Sequence, residues 1–250
     1  MKTKSIHLST AALILCGALL LIPSRQARAT FLDETFEECT LGEHLAASGS
    51  KKWSMWPRDA AASDTIVANP KKPGEKALEM KNNAADACCF NVIGGENWKQ
   101  AVTESRKATL KFGFFISSTS PVVGGFGACI NQVNGTNPRQ GSAISVQDWG
   151  NGKRVILAVN GIKPDGSPKF VKVGEWNYDE WQEVALDMNF EDKTYSVGIN
   201  GQGASLDGLA FRAADAWDGN TWGDRAQIVF SIPKENTVLL DNVQCSAEGF

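Results

Sequence analysis

Eight tryptophans are spread along the 250-residue chain, and three of the segments that hold them also hold carboxylates, amides or a guanidinium. The first is Trp53 to Asp59, with Trp53, Trp56 and Arg58. The second is Asp148 to Asn151, around Trp149. The third and richest is Asp215 to Asp224, where Trp217 and Trp222 are interleaved with Asp215, Asp218 and Asn220. A sugar ring presents C–H groups on one face and hydroxyls at its rim, so an exposed indole plane beside Asp, Asn or Arg is suited to hold one. The plain alternative for each ring is packing at the rim of a core. For Trp176 and Trp181, which adjoin apolar alternating runs, packing is the expectation. The carboxylate spacing of Asp215 to Asp224 also allows a calcium loop, without the full EF-hand pattern.

Nucleophilic catalysis has little to build on. There is no Gly-x-Ser-x-Gly segment and no phosphate-loop pattern, and beyond residue 29 His44 alone would have to serve every Ser or Cys nucleophile. Cysteine tells a similar story. Cys39, Cys88, Cys89, Cys129 and Cys245 contain no Cys-x-x-Cys spacing, which argues against a zinc site. Cys88 and Cys89 are adjacent and point to opposite faces if they lie on a strand, so only one of them can reach a given neighbour. A bridge from this pair to Cys129 and a set of buried unpaired thiols are equally compatible with the sequence.

The elements that position these residues begin after a leader. Lys2 and Lys4 precede an apolar run from Ala11 to Ile22, and Ala27-Arg28-Ala29 has the small-x-small form of a cleavage site. A secretory signal peptide over residues 1–29, cut after Ala29, is expected, with a secreted or periplasmic mature protein in which disulfides are permitted. Bulky Leu15 ahead of Cys16 argues against a lipoprotein. No later stretch is apolar enough for insertion in a membrane. Removing Lys2, Lys4, Arg25 and Arg28 leaves 21 basic against 28 acidic residues, a net charge of −7. Nucleic acid and anionic membrane are therefore poor partners.

Residues 30–250 read as one all-β domain. The clearest element is Trp181 to Gly201, where Val184, Leu186, Met188 and Phe190 alternate with wet positions, Glu191-Asp192-Lys193 turns the chain, and Tyr195, Val197 and Ile199 resume the alternation. That is a hairpin with one greasy face, whose register is fixed because a one-residue slip would expose the whole apolar set. Leu110, Phe112 and Phe114 predict a central core strand over Ala108 to Ser118. Gly150-Asn151-Gly152 joins a second hairpin, Ala143 to Trp149 and Lys153 to Asn160. Thr30 to Glu38, anchored by Phe31 and Phe36, opens the domain, and Gln227 to Ile232 and Thr237 to Cys245 close it. Val122 to Val133 reads only as a glycine-rich run, Pro57 excludes a central strand beside Trp56, and Ala213 to Trp217 is the one place for a helical turn. About a dozen strands with very little helix predict a two-sheet antiparallel sandwich.

Phe36-Glu37, Ala77-Leu78-Glu79-Met80, the hairpin from Trp181 to Gly201 and Leu240-Asp241-Asn242-Val243 resemble, in this order, the concanavalin A-like jelly-roll superfamily, most closely the laminin-G-like modules of secreted bacterial proteins. The resemblance implies pairing of the first and last strands and a structural Ca²⁺ nearby. Glu37, Asp241 and backbone oxygens near Gly74 would be its ligands, hard donors of the kind that ion takes. The bland reading of the same residues is a solvated edge charge at Glu37 and local backbone bonding at Asp241. Glucanases of this fold carry Glu-x-Asp-x-x-Glu, and alginate lyases carry Arg, Gln, His and Tyr motifs. Neither pattern occurs here: Glu34 to Glu38 lacks the central Asp, and His44 has no Gln-x-His context. The expected function is a non-catalytic carbohydrate-binding or adhesive module with a polysaccharide or glycoconjugate partner. A divergent glycoside hydrolase or polysaccharide lyase and a cell-envelope protein-interaction module are the alternatives.

Overall fold

The computed structural model describes residues 28–46, 53–56, 62–83, 88–93, 106–120, 125–134, 137–203, 206–212 and 226–248. Among them are fifteen strands and no helix: β1 (Arg28–Glu34), β2 (Trp53–Trp56), β3 (Ala62–Ala68), β4 (Lys76–Asn82), β5 (Cys88–Ile93), β6 (Lys107–Phe115), β7 (Phe126–Asn134), β8 (Asn137–Asp148), β9 (Arg154–Ile162), β10 (Pro168–Glu175), β11 (Gln182–Asn189), β12 (Thr194–Ile199), β13 (Leu206–Ala210), β14 (Ala226–Ile232) and β15 (Asn236–Glu248). They form two antiparallel sheets stacked as a jelly-roll-type sandwich. The larger runs β13-β12-β11-β6-β15-β4-β3, with β1 also paired to β15, and the smaller runs β10-β9-β8-β7-β14-β5-β2. The first and last strands thus pair, Glu34 opposite Val243 and Thr30 opposite Ser246.

Alternation builds the core between the sheets. In the β11–β12 hairpin Val184 faces Ile199, Leu186 faces Val197 and Met188 faces Tyr195. Val184, Leu186 and Val197 are fully buried, and each such side chain contributes about 1.5–3 kcal/mol on leaving water. From β6, Phe112 meets Phe126 of β7 edge-on at 6.4 Å and Phe230 of β14 at 5.3 Å, while Phe126 stacks on Phe230 at 6.3 Å. These ring geometries tie the larger sheet to the smaller. Tyr195 adds a polar tie: its buried hydroxyl is shared between the carbonyls of Val159, at 2.5 Å, and Ala143, at 2.9 Å. Desolvation raises its pKa far above the phenol range, so it stays a neutral donor.

Two local expectations are corrected, the length of the opening strand and the pairing of Cys129, and two segments that the sequence left without an element are strands. The opening strand stops at Glu34, and Phe36 turns the chain at a φ of 62° while its ring remains a core anchor, 2% exposed. Trp53–Trp56 is a strand at the edge of the smaller sheet, a place that tolerates the following proline. The glycine-rich run is β7, with Gly127 where a Cβ would meet the Ile144 carbonyl at 3.4 Å. Cys39, Cys129 and Cys245 form no disulfide. Cys129 lies opposite Val229, which lies opposite Asn91, so β14 separates it from the strand of Cys88 and Cys89. Two strand spacings are about 10 Å, beyond the reach of a disulfide. The helical turn expected at Ala213 to Trp217 lies outside the described residues.

Candidate functional site

The β8–β9 hairpin ends in Gly150-Asn151-Gly152, all three at positive φ (77°, 53° and 76°), a tight reversal that leaves the preceding residue at the very tip of the strand. Alternation along β8 puts Ile144 and Val146 into the core, and Ser145, Gln147 and then Trp149 on the outward face of the smaller sheet. These three form a ladder: Trp149 Nε1 donates to Gln147 Oε1 at 2.8 Å, and Gln147 Nε2 donates to Ser145 Oγ at 3.1 Å. The indole is thereby held in one orientation while 57% of the residue stays exposed. More than half of this residue is therefore left in water by the folded chain.

The base of the platform is fixed by the loop that leads from β10 to β11. Asp148 accepts Gly150 N–H through Oδ1 at 2.7 Å and the Tyr178 hydroxyl through Oδ2 at 2.8 Å. Tyr178 stands edge-on to Trp176 at 4.8 Å, and Trp176, 2% exposed, donates its Nε1–H to the Gln147 carbonyl at 3.1 Å. The Arg154 guanidinium lies 5.3 Å from the Tyr178 ring centroid and donates to the Trp176 carbonyl and to Asn177 Oδ1, each at 3.3 Å. With both oxygens engaged, Asp148 organises the tip. Asp148 and its cross-strand partner Arg154 have the opposite parity to Gln147 and Trp149, so this brace lies on the other side of the hairpin from the indole.

A second feature lies on β15 just before its pairing with β1, where Asp241 is opposite Gly113 of β6. Asp241 is 3% exposed, with Oδ1 accepting Asn242 N–H at 2.7 Å. Burial pushes its carboxyl up to about 6; Lys72 opposes that shift, and Glu75 and Glu37 reinforce it. Glu37 accepts the Lys76 N–H at 2.8 Å, and Lys76 Nζ donates to the Glu37 carbonyl at 2.5 Å. Segments far apart in sequence therefore bring carboxylates into one another's field. Burial and the field of Glu75 and Glu37 both disfavour the Asp241 anion, a charge that a nearby cation would relieve. Among the described residues no group of three His, Cys, Asp or Glu side chains gathers, so backbone oxygens would have to complete the shell of a Ca²⁺ ion.

The expected sugar-binding residues part company. Trp149 lies on the surface as required. Trp53 is 4% exposed, stacked on Phe230 at 6.4 Å and tilted against Phe36 at 6.0 Å, so it is a core residue and not a ligand platform. Alternation about this edge strand turned it inward. The Trp56 side chain, and Arg58, Asp215, Trp217, Asp218, Asn220 and Trp222, lie outside the described residues. Trp176 is buried and Trp181 packs on Phe115 at 5.6 Å, both as expected. Sequence reading missed Tyr178, Arg154 and Gln147. The signal for Gln147 was available, since it shares the outward parity of Trp149.

No protein-family model matches this chain, and no curated protein sequence matches it. Among solved structures, a carbohydrate esterase from the Shiga toxin-encoding bacteriophage phi24B is similar, with a TM-score of 0.57 and 13% identity over 89% of this chain and 100% of its own. A sialidase is similar over 82% of this chain and 18% of its own, with a TM-score of 0.50 and 12% identity. At such identities the likeness is one of fold.

Proposed function

We propose that this protein is an exported, non-catalytic glycan-binding module of the concanavalin A-like, laminin-G-like kind, with Trp149 as its sugar platform and a structural Ca²⁺ between Glu37 and Asp241. The observation that carries this reading is the Trp149 indole, 57% exposed yet held by a 2.8 Å hydrogen bond to Gln147. Orienting a large exposed ring costs side-chain entropy that folding alone does not repay, and prepaying it strengthens a later stacking contact. A fold held in common with a carbohydrate esterase and part of a sialidase is consistent with a carbohydrate-directed role. The leader-like residues 1–29 support export.

In this reading the sugar's C–H face lies on the indole, beside the Gln147 amide that orients it. Glu37 and Asp241 would hold the ion, whose charge would offset the carboxylate repulsion at Asp241. The test is retention of the full chain on a panel of immobilised polysaccharides, with Ca²⁺ and with chelator, while soluble sugar is monitored. Retention without release is expected, with loss of retention in Trp149→Ala. Release of product would replace binding by catalysis, and no retention on any glycan would overturn the reading.

A further inference from the structure

Four Asn-Gly pairs occur in the chain: Asn134-Gly135, Asn151-Gly152, Asn160-Gly161 and Asn200-Gly201. An asparagine followed by glycine can react with its own backbone, because no Cβ hinders the approach of the next amide nitrogen to the side-chain carbonyl carbon. Whether it does so depends on how firmly the fold holds the carboxamide. Gly135 lies outside the described residues, and the other three pairs can be compared.

Two of them are restrained. Asn200 Oδ1 accepts the Glu183 N–H at 2.8 Å, its Nδ2 donates to Gln182 Oε1 at 2.9 Å, and its own N–H donates to the Glu183 carbonyl at 2.9 Å. Asn160 lies within β9 and its Oδ1 accepts the Ala210 N–H at 3.0 Å, while a Cβ on Gly161 would meet that of Ala210 at 3.8 Å. Attack on either carboxamide must first break these bonds.

Asn151 differs on every count. It is the middle residue of the β8–β9 reversal, exposed between two exposed glycines, and its carboxamide has no hydrogen-bond partner among the described residues. Nothing lies within 4 Å of a Cβ placed on Gly150 or Gly152, so the side chain has room to turn toward Gly152 and water has room to follow. The reversal is closed by the Trp149 N–H on the Lys153 carbonyl at 2.9 Å and the Lys153 N–H on the Gly150 carbonyl at 3.0 Å. Neither bond uses the Gly152 N–H.

We propose that Asn151-Gly152 is a self-modifying site, at which Asn151 becomes aspartate or isoaspartate while Asn160 and Asn200 are preserved. The Gly152 nitrogen, its proton lost to base, bonds to Asn151 Cγ; the Cγ–Nδ2 bond breaks and ammonia leaves. Water then opens the five-membered succinimide at either carbonyl. One water enters and one ammonia departs, and no other reactant is needed. Isoaspartate lengthens the main chain by a methylene between the Gly150 carbonyl and the Lys153 N–H, and either product adds a negative charge at the apex. Conversion therefore disturbs the bonds that close the reversal beside Trp149.

The full chain is held at body temperature and mildly alkaline pH, and conversion at each pair is read by peptide mass spectrometry, with isoaspartate identified by enzymatic methylation. Asn151 is expected to convert progressively, and faster as pH rises, with Asn160 and Asn200 slower by about tenfold or more. In denaturing guanidinium the three rates should converge, because the restraint lies in the fold. The Trp149 indole N–H resonance should shift in the converted molecules, with that of buried Trp176 in place. Asn151→Gly accepts a φ of 53° and should show no such shift on incubation. Conversion at Asn160 or Asn200 as fast as at Asn151 in the folded chain would overturn the proposal, as would a difference that persists in denaturant. A Trp149 resonance unmoved by conversion, or moved equally in incubated Asn151→Gly, would overturn its consequence for the tip.

Discussion

The two hairpins β8–β9 and β11–β12 are written in the same local grammar and do different work. Both alternate apolar and polar residues around a short polar turn, and both bury one face against the opposite sheet. In β11–β12 the turn Glu191 to Lys193 is held by polar bonds, local and distant: Asn189 Oδ1 accepts the Glu191 and Asp192 N–H groups at 3.0 and 3.1 Å, the Lys193 carbonyl accepts the Phe211 N–H at 2.9 Å, and Arg106 pairs with Glu191 at 3.0 Å. In β8–β9 the distant bonds come from aromatic side chains, Tyr178 on Asp148 and Trp176 on the Gln147 carbonyl, residues about one hairpin further along the chain. The first turn presents charged side chains to water. The second carries an exposed tryptophan held to Gln147, and there we place the binding site.

The comparison is sharpened first in the core. Leu186→Ala in β11, at a fully buried position, is expected to cost about 3 kcal/mol of unfolding free energy, measured by denaturant titration. Folded molecules of that variant should still bind glycan as the wild type does. A region that belongs to neither hairpin gives the next effect. In chelator, Asp241 has a folded pKa raised to about 6 by burial, so its contribution to stability is full below the unfolded carboxylate range and is lost as pH rises through about 6. Stability should therefore fall by about 2 kcal/mol between pH 4 and pH 7 from this group, and Asp241→Asn should flatten that dependence. Added Ca²⁺ should raise Tm more at pH 7 than at pH 5; equal shifts would remove the ion from Asp241.

Smaller effects separate the brace from the platform. Tyr178→Phe deletes the 2.8 Å bond to Asp148 and is expected to cost about 1 kcal/mol, with a several-fold loss of glycan affinity as the tip loosens. Unchanged affinity would show that the brace is irrelevant to binding. Trp149→Ala should change stability by no more than about 0.5 kcal/mol while abolishing retention. A large loss of stability would make Trp149 a packing residue after all.

What the sequence disclosed follows the reach of its signals. Alternation is local, so Val184, Leu186, Met188, Tyr195 and Val197 were assigned to the core and their pairing follows. The glycine-asparagine turn located the tip, and Trp149 beside it was singled out. Tyr178 and Arg154 were not, because the Tyr178 hydroxyl reaches Asp148 across 30 residues and the Arg154 guanidinium reaches Asn177 across 23, separations that no local period relates. Trp53 was misread for the opposite reason: its polar neighbours suggested a surface, but alternation on a four-residue edge strand sends it inward to Phe230. The Cys129 pairing failed on the same ground, since sheet order placed β14 between the thiols.

The central claim is that Trp149 meets the ligand, and the indole N–H resonances of the full chain test it most directly. The Trp149 signal, assigned by its disappearance in Trp149→Phe, is followed while an oligosaccharide of the retained polysaccharide is titrated in. A saturating shift of that resonance, with the buried Trp176 signal unmoved, is the predicted result. Saturable binding that leaves the Trp149 resonance in place would contradict the account and send the search to another face of the sandwich.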